Sequence, residues 1–199
     1  RKFMRLCSGR IGQVFNASQI AMETGVAVST IKSWLSVLET SFIVYLLPPW
    51  YGNINKRLVK SPKLYFYDVG LAAYLLGIQN PRQVQRDPLR GALFENLVIN
   101  EIIKKYFNSG LDPGIFFYRN QHGNEVDVLL PVAQQMIPIE IKSSETYHRD
   151  FLRGLQYFQK VYPSKTGRPI LVYGGSMELR SDEILIINYK KIYREIMCE

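Results

Sequence analysis

Cysteine and histidine are scarce in this sequence, with two of each among 199 residues. Cys7 and Cys198 sit near opposite ends without partner spacing, which speaks against a disulfide framework and against a zinc site. His122 falls in a turn with no second histidine close by, the pattern of a surface residue rather than of a ligand. The apolar runs, such as Phe42 to Leu47, are far shorter than the ~20 residues of a membrane span. No basic-apolar-small leader opens the chain, and no repeat or low-complexity tract interrupts it. A reducing, cytoplasmic setting without a membrane is the expectation. A chain that opens at Arg1 rather than Met is also expected to be a piece of something longer.

What is present describes an ordinary globular protein of one large or two small domains, 47% hydrophobic and 21% charged. Its net charge of +8 is unevenly spread along the sequence. Residues 1–90 hold 12 of the 25 basic and 4 of the 17 acidic residues, so the whole excess falls there. Confinement of the excess to one segment points to a nucleic-acid partner, DNA in particular, more strongly than a high isoelectric point alone.

Within that segment, Asn16 or Ser18 is placed to cap a short helix carrying Ile20 and Ala21. Gly25 then supplies a turn, and Ser29 a second cap. In the second helix Ile31, Trp34, Leu35 and Leu38 follow helical spacing and predict a buried stripe, with Lys32 on the polar face. Two strand-like runs, Phe42 to Leu47 and Leu64 to Tyr67, flank a basic loop. Helix, turn, helix and basic hairpin predict a winged helix-turn-helix over residues 1–78. Lys56, Arg57, Lys60 and Lys63 on the wing, with Lys32, are the candidate phosphate contacts. A polar, proline-bearing stretch at residues 79–88 reads as a linker, and Asp87-Pro88 as the opening of a helix over 89–107.

The second part, residues 89–199, is organised around Glu125 to Lys142, E-V-D-V-L-L-P-V-A-Q-Q-M-I-P-I-E-I-K. Strand alternation puts Glu125 with Asp127 and Glu140 with Lys142, leaving Val126 and Val128 behind the first pair. Pro131 and Pro138 are expected to bracket the connection of a hairpin. Acids inside apolar strands are stable only when paired or when they hold a cation. One reading is an ion pair of Lys142 with Glu140 or Asp127. The other is a divalent ion on hard oxygen ligands, Mg²⁺ or Mn²⁺, for which Asp127 and Glu140 suffice. Glu95 stands at the margin of an apolar helical face, and Gln156 beside the stripe of a later helix.

An acid on the first helix, a second on the middle strand and acid-x-lysine on the third strand resemble the PD-(D/E)XK, or restriction-endonuclease-like, nuclease superfamily. The resemblance implies an α/β fold with an α-β-β-β-α-β core preceded by the winged helix. By the same resemblance Glu95 is the first-helix acid, Asp127 the metal-binding aspartate, and Glu140-Ile141-Lys142 the signature triplet, with the Ile141 carbonyl joining Asp127 and Glu140 on the metal. Gln156 matches the glutamine of exonuclease-like members. More broadly, L-P-P-W-Y-G-N, the run K-R-L-V-K-S-P-K-L-Y-F-Y-D-V-G-L, G-A-L-F-E-N-L-V, E-V-D and I-E-I-K-S-S resemble the C-terminal region of prokaryotic AAA+-class ATPases. That implies an N-terminal ATPase module as a partner. No G-x-x-x-x-G-K-[ST] occurs in this chain, so no ATP site is expected in it. The expected activity is Mg²⁺-dependent hydrolysis of DNA, and the alternative is an inactive DNA- or protein-binding regulatory module.

Overall fold

The computed structural model describes residues 1–51 and 61–196. It divides into two units. The first comprises Arg1–Pro48 and Ser61–Asn96; the second holds Pro49, Trp50, Tyr51 and the residues from Leu97 onward. The division falls inside one helix rather than in the polar stretch 79–88, which itself contains a helical turn and a half capped by Asn80. Lys56, Arg57 and Lys60 lie outside the described residues. No described helix is long and apolar enough to cross a membrane.

The first unit opens with α1 (Lys2–Ser8), α2 (Ala17–Thr24) and α3 (Val28–Thr40). Asn16 caps α2, accepting the Gln19 N–H at 3.1 Å, and Gly25 ends it in the left-handed region at φ 75°. Ser29 is not a cap: α3 begins at Val28 behind Ala27, with no side-chain cap bond. Of the predicted stripe, Ile31, Leu35 and Leu38 are buried, whereas Trp34 is 40% exposed and leans on the Phe3 ring. Strands β1 (Val44–Leu47) and β2 (Lys63–Phe66) pair antiparallel. Strand β1 starts later than Phe42 because that residue turns the chain at φ 53°, while β2 starts one residue before Leu64. Helices α4 (Val69–Leu75), α5 (Pro81–Arg86) and the start of α6 (Arg90–Asn108) follow. The Asn96 side-chain amide pairs with both the N–H and the carbonyl of Phe66, each at 2.8 Å, and fastens α6 to β2.

The second unit is a mixed α/β structure around a six-stranded sheet. It contains β3 (Phe116–Arg119), β4 (Glu125–Val132), β5 (Gln135–Lys142), β6 (Ile170–Tyr173), β7 (Leu179–Arg180) and β8 (Leu185–Asn188). Among the described residues the strand order is β3-β4-β5-β6-β8-β7. Strands β3 to β5 are antiparallel, β5, β6 and β8 are parallel, and β7 runs antiparallel to β8. A short 3₁₀ turn and α7 (Arg153–Val161) cross between β5 and β6, and α8 (Ile192–Glu195) comes last. Leu155 and Phe158 of α7 bury against Val126, Leu129, Tyr118 and Tyr162. Trp50 joins the same cluster, its ring 5.4 Å from Phe158 and 5.0 Å from Tyr162, and its backbone N–H donates to the Phe117 carbonyl at 2.7 Å.

The prolines sit within the hairpin strands rather than around their connection. Pro131 faces Met136 and Pro138 faces Leu129, while the turn is Ala133-Gln134 with Ala133 at φ 50°. Pro138 is tolerated because β5 begins to pair with β6 only at Ile139, so no ladder bond to β6 is asked of it.

Candidate functional site

The alternation expected of E-V-D-V is broken by a bulge. Phe116 pairs with Leu129 but Tyr118 with Val126, so three residues of β4 advance against two of β3, and Asp127 lies in the extra step. Val126 and Leu129, rather than Val126 and Val128, therefore share one cluster. A bulge of this kind re-aims a side chain and ends regular pairing. On the other edge, the β4–β5 ladder runs from Val132↔Gln135 to Val128↔Ile139 and stops there. Beyond it the Asp127 carboxylate does the pairing instead, its Oδ2 accepting the Ile141 N–H at 2.8 Å.

Glu140 and Lys142 are two apart on β5 and share a face, as the sequence requires. Lys142 Nζ donates to Glu140 Oε1 at 2.5 Å and lies 4.0 Å from Asp127 Oδ2. Both acids are 8% exposed, while the lysine side chain is 35% exposed. The carboxylates thus form the floor and the ammonium the mouth of one charged site. A strand residue directs its N–H and C=O to the same neighbour. The Ile141 carbonyl consequently faces the gap in which Asp127 takes the Ile141 N–H. Beyond Lys142, the Gly174 N–H bonds the Lys142 carbonyl at 3.1 Å, and Asn188 Nδ2 in turn bonds the Gly174 and Gly175 carbonyls at 3.3 and 2.8 Å, so β6 and β8 hold the end of β5. Glu125 stands at the start of β4, 3.6 Å from Arg119 of β3.

The other predicted residues are placed differently. Glu95 belongs to the first unit, where its Oε1 takes Lys63 Nζ at 3.2 Å and the Tyr65 hydroxyl. Lys63, expected on a solvated wing, is 2% exposed and forms the inner half of that pair. Lys32 is exposed on α3, at a groove shared with the N-terminal residues of α2. Gln156 is exposed in a groove of about 410 Å³ lined also by Gln159, Arg168 and Glu183. Helix geometry accounts for this. Gly154 is the α7 residue against Glu140, and a residue two positions on points roughly 200° away. Sequence reasoning passed over Gly154, which has no signal of its own, and over Gly174, Gly175 and Asn188. Among the described residues no group of three or more His, Cys, Asp or Glu gathers to hold a metal.

Residues 90–192, just over half of the chain, match the family described as a domain of unknown function, DUF4143. The chain belongs to the DUF4143 family. Residues 1–82 match a second domain of unknown function, DUF8612. The uncharacterized proteins Mb2031c of Mycobacterium bovis and Rv2008c of Mycobacterium tuberculosis are each 32% identical to it over 135 residues, 68% of this chain. The chain spans 30% of the length of these relatives. Asp127, Glu140, Lys142 and Gly154 all fall in the DUF4143 region. Lys63 and Tyr65, which hold Glu95, fall in the DUF8612 match.

Proposed function

We propose that the second unit is a divalent-cation-dependent nuclease of the PD-(D/E)XK, restriction-endonuclease-like type, acting on DNA. The first unit is then a winged helix-turn-helix that holds the substrate. The observation that carries the reading is the meeting of Asp127, Glu140 and Lys142 from a bulged strand and its neighbour, with both acids sunk and the lysine outermost. The donor set fits a hard cation. Asp127 Oδ2 is committed to the Ile141 N–H, its Oδ1 has no partner among the described residues, and the Glu140 carboxylate lies beside the same lysine. One or two carboxylates with water and substrate oxygens are the usual complement for Mg²⁺.

Asp127, Glu140 and the Ile141 carbonyl would hold the ion, which supplies an activated water and neutralises phosphate charge. Lys142, whose ammonium is the outermost charge of the site, would stabilise negative charge developing on the scissile phosphate. The bulge at Asp127 and its bond from the Ile141 amide would keep that carboxylate oriented. Incubation of duplex, single-stranded and branched DNA with Mg²⁺ or Mn²⁺ is expected to yield cleavage that Asp127→Asn and Lys142→Met each reduce by roughly 100-fold or more. Uncut DNA with wild type on all three substrates rejects the reading.

A second reading is favoured by the closeness of Lys142 to Glu140, which is a satisfied ion pair as it stands. In it the same unit is an inactive regulatory platform of an AAA+-class ATPase, and DNA or that ATPase is bound without cleavage. Salt-sensitive DNA binding that is indifferent to Asp127→Asn, with no metal-dependent product, selects this second reading.

A further inference from the structure

Alanine is favoured over glycine in helices, so Gly154 in α7 needs a reason other than local propensity. Its surroundings supply one. A Cβ at this position would collide with the Glu125 carbonyl oxygen and stand 3.1 Å from Glu140 Oε2. The Glu125 carbonyl is backbone of the residue that opens β4, so it cannot swing aside as a flexible side chain would. The next residue of the helix, Leu155, is fully buried in the cluster with Val126 and Leu129, which ties α7 down at that height over the sheet. One extra carbon at residue 154 therefore lifts the first turn of α7, displaces the start of β4 or pushes the Glu140 carboxylate out of line with Lys142.

We propose that Gly154 is a positioning residue for the Asp127–Glu140–Lys142 site. By carrying no side chain it lets α7 close directly on the backbone of β4 and on the Glu140 carboxylate, which fixes where that carboxylate meets its partners. The role given to it in cation binding rests on the nuclease reading above. The contact itself does not depend on that reading. The helix thus acts on the site through an absent atom, at a residue with no charge or donor to advertise it.

The test compares wild type, Gly154→Ala, Asp127→Asn and Leu155→Val, all in the full chain. Leu155→Val trims the same helix on its core side and serves as the control for loss of stability without a change at the carboxylate. Mn²⁺ is the probe, followed by titration calorimetry, alongside thermal unfolding and the side-chain carboxyl ¹³C resonance of Glu140 in metal-free protein. Gly154→Ala is expected to lower the melting temperature, against helix propensity, to move the Glu140 resonance while those of Asp182 and Glu183 stay put, and to weaken Mn²⁺ binding roughly 10-fold or more. Leu155→Val is expected to lower the melting temperature yet leave Mn²⁺ affinity and the Glu140 resonance unchanged at a temperature where it is folded. If Gly154→Ala leaves the Glu140 resonance in place, or raises the melting temperature, the proposal is overturned. Should wild type itself fail to bind Mn²⁺ in an Asp127-dependent way, the nuclease reading falls, and the resonance and the sign of the melting shift still decide the positioning role.

Discussion

Removing the carboxylate of Glu95 separates a structural role for this residue from a catalytic one. Lys63 is 2% exposed with its Nζ 3.2 Å from Glu95 Oε1, and the fully buried Tyr65 donates its hydroxyl to the same oxygen. Glu95→Ala removes a carboxylate acceptor from a buried ammonium and a buried phenol inside the first unit. Breaking a buried ion pair from one side costs about 3–5 kcal/mol. A hydroxyl left without its acceptor adds about 1–3 kcal/mol. Set against a total stability of about 5–15 kcal/mol, the variant is expected to unfold at low urea or well below the wild-type midpoint, at roughly 4–8 °C for each kcal/mol in a unit of this size. Glu95→Gln keeps an acceptor for Tyr65 and should lose less. The double variant Lys63→Met, Glu95→Leu should regain most of the loss, because apolar replacement of a whole buried pair is neutral or stabilising by about 1–4 kcal/mol. Urea unfolding at pH 7 followed by far-ultraviolet circular dichroism reads all three. If Glu95→Ala stays within about 1 kcal/mol of wild type, the pair is not what holds β2 to α6 and the reasoning is wrong. If the double variant is folded and still cleaves DNA, Glu95 is no part of the hydrolytic machinery.

Three further outcomes are expected. Cys7 is fully buried and desolvation pushes its thiol up to about 12, with Arg10 opposing only in part, so in a Cys198→Ser background it should resist a disulfide reagent at pH 8 until the chain is unfolded. Trp50→Ala should cost about 3–5 kcal/mol through the cavity left against Phe158 and Tyr162, and a loss under about 1 kcal/mol would detach this tryptophan from the core of the second unit. Arg180 donates to both carboxylate oxygens of Glu195 and holds its carboxyl below the usual range. That contribution is present above the unfolded glutamate value of about 4.3 and disappears as pH falls through the lowered folded value, so Glu195→Gln should be less stable than wild type at pH 7 and equal to it in strong acid.

The legible features are those whose signals are local. Acid-x-lysine on β5 obeys strand alternation, and the helix opening at Asp87-Pro88 is realised, with Asp87 accepting the Leu89 N–H at 2.8 Å just before α6. What escaped depends on register or on an atom that is not there. The bulge that re-aims Asp127 leaves no mark in E-V-D-V, since it is a mismatch of β4 with β3 and not a property of either strand. Gln156 lies beside its stripe in sequence and is exposed, because Gly154 is the α7 residue against Glu140 and a position two residues on points roughly 200° away. The two-residue strand β7 is too short to carry any periodicity.

Charge counted along the sequence and charge counted over the described first unit differ. Counting along the chain assigns the whole excess to residues 1–90, but Lys56, Arg57 and Lys60 lie outside the described residues, and the described part of the first unit includes Glu95. It then holds nine basic and five acidic residues, a net of +4, half the value that the linear count suggests. One of the nine is Lys63, neutralised internally by the very residue whose position the linear cut overlooked. A phosphate-tracking field depends on cations that face solvent, and a composition count cannot tell those from cations spent inside. Among the described residues the case for DNA at this unit therefore leans on exposed α3 with Lys32, a helix that also shows Trp34 and Val37 to solvent, more than on its total charge.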